Sequence, residues 1–103
     1  MENLIQITLM IARKKMKSFG FDDEQVKQLL ASGERDLKTE FARLASLLEG
    51  PSTPEELNKS LHALKGLLLN MGNEKLAERL IELKEFDDFE GKKKQLRALI
   101  FGT

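Results

Sequence analysis

"TPEELNKSLHALKGLLLNMGNE", residues 53–74, decides how this chain folds. It opens as a capping box. Thr53 is placed to cap a helix, Pro54 to take its first position, and Glu56 to reach back to the cap. It closes on Gly72, suited to the left-handed position that ends a helix, and on Asn73, suited to cap the next one. Between these ends Leu57, Leu61, Leu64, Leu68 and Met71 recur at helical spacing. With His62 as the zero of a wheel at about 100° per residue, they fall between roughly 180° and 260°. That arc is the buried stripe. A connection as short as "MGNE" (71–74) makes the helices on either side of it antiparallel neighbours.

Upstream, "GPSTP" (50–54) holds both prolines and is the clearest break in the chain. No stretch alternates well enough to be a strand. A first helix is expected over about residues 2–18, with Leu4, Ile5, Thr8, Leu9, Ala12, Met16 and Phe19 recurring every three or four positions. Its terminal "RKKMK" (13–17) suits the negative end of a helix dipole. Gly20 stops it, and Asp22 or Asp23 caps the next segment. That segment carries Val26, Leu29 and Leu30. It either breaks at "SG" (32–33) or runs on into the stripe of Leu37, Phe41, Leu44 and Leu48; the pattern allows both.

Downstream, Leu76, Leu80 and Leu83 supply another stripe. A last helix follows "FDDFEG" (86–91), with Leu96, Leu99 and Ile100 facing inward. The expected fold is all-α: an antiparallel four-helix bundle over residues 21–103 with an additional N-terminal helix over residues 1–20, together one domain spanning 1–103.

Composition narrows the function. Lys+Arg and Asp+Glu are both 17, so net charge offers no argument for nucleic acid or an anionic membrane. With no cysteine, disulfides, thiolate metal sites and a Cys nucleophile are excluded, which fits a reducing compartment. The apolar run "LIQITLMIA" (4–12) is far shorter than the ~20 residues of a membrane span. Its basic cluster follows the run, whereas a signal peptide carries its charge before it. A cytoplasmic protein without membrane insertion is expected.

The wheel puts His62, the one histidine, opposite the stripe and in solvent. Within about 60° of it lie Asn58, Lys59, Lys65, Gly66 and Leu69. Gly66 costs about 1 kcal/mol relative to Ala in a helix interior, but lets another molecule approach the backbone beside the ring. Leu69 offers that molecule a dry contact, and Lys65 is a cation one turn from the imidazole. Each feature alone is ordinary, since lone surface histidines and leucines are common. Their conjunction describes a docking face with a nucleophile at its centre.

These residues resemble the signature of histidine-containing phosphotransfer (HPt) domains. There His-x-Leu-Lys-Gly is followed by a second glycine ten positions after the histidine, here His62, Leu64, Lys65, Gly66 and Gly72. The resemblance covers roughly residues 21–86. It implies a phosphorelay intermediate of two-component signal transduction, without kinase activity of its own. His62 would accept a phosphoryl group from a receiver-domain aspartate and pass it to another receiver. Lys65 would neutralise charge on the phosphoryl oxygens, while Asn58, Lys59, Gly66 and Leu69 would meet the partner. No resident cofactor is implied, because Mg2+ belongs to the receiver. Partners would be receiver domains of response regulators and hybrid kinases, and a monomer is expected over a dimer.

The chain also departs from the family pattern. Positions after the first glycine are small in many relatives, whereas here they are Leu67, Leu68 and Leu69. Leu68 belongs to the core stripe, Leu67 to its edge, and Leu69 to the interface. The Gln or Glu that orients the imidazole in many relatives would fall at Lys84, with Glu85 next to it. These departures motivate an alternative, an HPt-like adaptor that binds receivers without being phosphorylated. A metal-binding bundle is not expected, because there is no Glu-x-x-His pair and the stripes are almost wholly apolar.

Two features stand outside this reading. The runs "RKKMK" and "KKK" (92–94) read as solvated helix charge that could steer acidic receiver surfaces. Ile7, Met10 and Ile11 lie off the main stripe of the first helix, which either caps the bundle beside His62 or pairs with a second copy.

Overall fold

The computed structural model describes residues 1–102. Among them are five α-helices and no strand: α1 (Glu2–Ser18), α2 (Asp23–Glu49), α3 (Pro54–Met71), α4 (Glu74–Lys84) and α5 (Phe89–Phe101). Most ends have a local chemical cause. At the end of α1, Gly20 adopts φ 87°, and the Phe21 and Gly20 N–H groups donate to the carbonyls of Met16 and Lys17 at 3.2 and 3.1 Å. Asp22 rather than Asp23 caps α2: its carboxylate accepts from the Gln25 N–H at 2.8 Å, and the Gln25 side chain accepts from the Asp22 N–H at 3.0 Å. Thr53 and Glu56 form the same reciprocal pair at the start of α3. Gly72 closes α3 at φ 89°, and Asn73 caps α4 by accepting from the Leu76 N–H.

The sequence "SG" does not break α2, which continues for 27 residues, about 40 Å at 1.5 Å per residue. Gly33 is a contact point within it. A Cβ there would lie 2.7 Å from Cε of Met71, so the absent side chain lets the end of α3 press against α2. The last helix also starts earlier than expected, inside "FDDFEG". Asp88 caps it by accepting from the Gly91 N–H at 3.2 Å, which places Gly91 in the first turn.

The core is the expected set of stripes. Leu37, Phe41, Leu44 and Leu48 of α2 meet Leu57, Leu61, Leu64, Leu68 and Met71 of α3. Leu76, Leu80 and Leu83 of α4 and Leu96 and Ile100 of α5 complete it, with Leu99 half-buried at the edge. Ile5, Thr8 and Ala12 are the buried face of α1. Leu29 and Phe19, apolar members of the α2 and α1 patterns, are exposed. α1 packs along the first turns of α2, where Leu9, Met10 and Arg13 line a groove with Val26, Lys27 and Leu30.

α2 packs against α1, α3 and α5, and α4 against α3 and α5. α1 lies across α2 and α3 where α3 turns into α4: Ile11 and Lys15 border Gly72, and Thr8 bonds Asn73. It covers that turn rather than flanking His62, which lies ten residues before Gly72, about 15 Å along the α3 axis. Ile7 and Met10 remain exposed on its outer side. No described helix is long and apolar enough to cross a membrane.

Candidate functional site

α3 turns Leu57, Leu61, Leu64 and Leu68 inward and leaves the opposite face open to solvent. His62 is exposed, midway along the helix. Around it Asn58, Lys65 and Gly66 are half-buried, while Lys59 and Leu69 are exposed, Leu69 at 43%. All the residues predicted for the site therefore share one accessible face.

Gly66 is the informative member. A Cβ added there meets nothing within 4 Å, whereas one at Gly33, Gly72 or Gly91 would press on a neighbour. Gly66 is helical and has no positive φ, so neither backbone geometry nor internal packing requires a glycine. The clearance lies outside the molecule, one turn along from His62.

No hydrogen bond or ion pair reaches the imidazole among the described residues; their ion pairs are Lys17–Asp23, Lys38–Glu34, Arg43–Glu40 and Arg79–Glu82. Lys84, where an orienting Gln or Glu would fall, is the half-buried last residue of α4, and Glu85 is its exposed C-cap. Also among the described residues, no three His, Cys, Asp or Glu side chains are grouped closely enough to hold a metal ion.

One part of the surroundings departs from expectation. Of "KKK", only Lys94 is solvated; Lys92 and Lys93 are 6% and 8% exposed. Their four-carbon stems lie along apolar surface at the start of α5. The Lys93 ammonium is 5.5 Å from the centroid of the Phe89 ring, within cation–π range. The Lys92 ammonium crosses to α3 and donates to Oδ1 of Asn58 at 3.5 Å. The signal was present in the sequence: Lys92 is four residues before Leu96 and eight before Ile100, on their stripe. By contrast Arg13, Lys14, Lys15 and Lys17 of α1 are exposed as expected.

The arrangement presents a nucleophilic ring without steric cover, a cation one turn after it, and a second cation held by Asn58 one turn before it. Such a face suits a small anion or an acidic partner surface. The chain matches no protein-family model, no curated protein and no solved structure.

Proposed function

We propose that this protein is a phosphorelay intermediate that carries a phosphoryl group on His62 between receiver domains. In this reading α2–α5 form an antiparallel four-helix bundle of the HPt kind, and α1 is an added cap. The observation that carries it is Gly66, a helix-interior glycine with open space beside it, next to an exposed histidine, Lys65 and an exposed Leu69. An unprotonated ring nitrogen of an imidazole is a nucleophile. A ring nitrogen would form the N–P bond as the O–P bond of the receiver's aspartyl phosphate breaks. The carboxylate leaves, and the ring releases its remaining N–H proton to water. Phosphoryl transfer needs positioning and charge stabilisation, and the receiver's acidic, Mg2+-binding pocket supplies much of both. The chain itself contributes no kinase activity in this scheme.

The test needs no partner at first. Incubation with phosphoramidate, followed by intact mass and acid treatment, should add one acid-labile phosphate that His62→Gln abolishes. Transfer from a phosphorylated receiver should then be lost in the same variant. The absence of an orienting partner on the imidazole favours a second reading, an adaptor that binds receivers without phosphorylation. A receiver complex of equal affinity with His62→Ala, and no phosphoprotein, would select it.

A further inference from the structure

Lys92 is the most buried cation of the described residues, yet no carboxylate lies within ion-pair distance of it. Its side-chain hydrogen bond goes to Asn58, a neutral amide, at the long distance of 3.5 Å. A buried ammonium normally has an anionic partner, and no carboxylate of the described residues stands within 4 Å of this one. An ammonium can only donate, so Asn58 turns its amide oxygen to Lys92 and its NH2 group away. Asn58 stands one turn before His62 and Lys65 one turn after, both displaced to the same side of the ring, by about 40° and 60° on the wheel. Lys65 and, through Asn58, Lys92 therefore stand on one flank of the imidazole, with Lys59 on the other.

We infer that Lys92 is a positioning residue of a phosphoryl site at His62: it holds Asn58 with its N–H donors free for a phosphoryl oxygen, and adds a fixed charge in poorly solvated surroundings. The ligand is the phosphoryl dianion carried on the ring. This inference rests on the reading of His62 as phosphoacceptor. Lys93 has no part in it, because its ammonium is engaged over Phe89.

The full-length protein is incubated with phosphoramidate, from which a ring nitrogen displaces ammonia as the new N–P bond replaces the old one. Labelling rate, phosphohistidine lifetime and melting temperature are followed for the parent, Lys92→Met, Lys92→Arg and Asn58→Asp. Lys92→Met keeps the buried stem and removes the charge. It should slow labelling and shorten the lifetime about three- to tenfold, the order expected for removal of one nearby charge. Lys92→Arg should restore both to within about twofold, since it returns a cation to the same place. Asn58→Asp should pair with Lys92, so the melting temperature holds or rises while labelling slows. A merely structural role would move the two together.

A folded Lys92→Met with unchanged labelling and lifetime overturns the inference and leaves His62 as phosphoacceptor. Unchanged labelling in Asn58→Asp overturns it as well, and decides the matter if Lys92→Met does not fold. A parent protein that takes no acid-labile phosphate overturns the underlying reading instead.

Discussion

The side-chain amide of Asn73 donates to Oγ1 of Thr8 at 2.8 Å, and both residues are buried. Thr8 passes the bond on to the carbonyl of Leu4, while the Asn73 oxygen caps α4. One pair of side chains thus ties α1 to the turn that ends α3. Replacing Thr8 with Val keeps the volume but leaves a buried amide donor unpaired, at a cost of about 1–3 kcal/mol. Thr8→Ser, which keeps the hydroxyl, should cost less. Urea denaturation of the two variants checks the difference.

Gly66 should be replaceable at a gain in stability. An added methyl would meet nothing within 4 Å, so Gly66→Ala should stabilise the fold by about 1 kcal/mol through helix propensity. Phosphoramidate is small and should label this variant as well as the parent. A receiver domain is not, and transfer from it should fall. Equal transfer from a receiver would show that the open space at Gly66 is not used for docking.

Leu64 and Leu69 stand five residues apart on one helix and should behave in opposite ways. Leu64 is fully buried, so Leu64→Ala should cost about 2–5 kcal/mol. Leu69 is exposed at 43%, so Leu69→Ala should change stability by less than about 0.5 kcal/mol and weaken receiver binding. Denaturation midpoints and receiver titrations separate the two effects.

Arg97 of α5 donates from Nε and Nη2 to the carbonyl of Leu48, at 3.1 and 2.7 Å, near the C-terminus of α2. These are charge-assisted bonds to a helix end whose carbonyls lack intrahelical partners. Arg97→Met should cost about 1.5–3 kcal/mol, and Arg97→Lys less, because a lysine makes one such bond rather than two. Thermal unfolding of both variants tests the order.

Much of the candidate site was legible because its logic is confined to one helix. The period of Leu57, Leu61, Leu64, Leu68 and Met71 fixes which side of α3 is dry, and His62, Lys59 and Leu69 then face water by elimination. Lys92 departs from expectation for a related reason. A run of three lysines looks solvated when only charge is considered, whereas stripe position places two of their stems along apolar surface.

What the amino-acid sequence determined by itself is the part governed by near neighbours: the helix start at Asp22 or Asp23, the caps at Thr53 and Asn73, the stops at Gly20 and Gly72, and the apolar period of α3. Those interactions span three to five residues, and the atoms that make them are adjacent in the chain. Only the tertiary structure decided that Gly33 continues α2 instead of ending it, because the reason is Met71, thirty-eight residues away. It also decided that α1 covers the α3–α4 turn through Thr8 and Asn73, and that Lys92 reaches Asn58. A glycine, a threonine or a lysine has several local uses of similar free energy, and the choice among them is made by whichever helix packs against it.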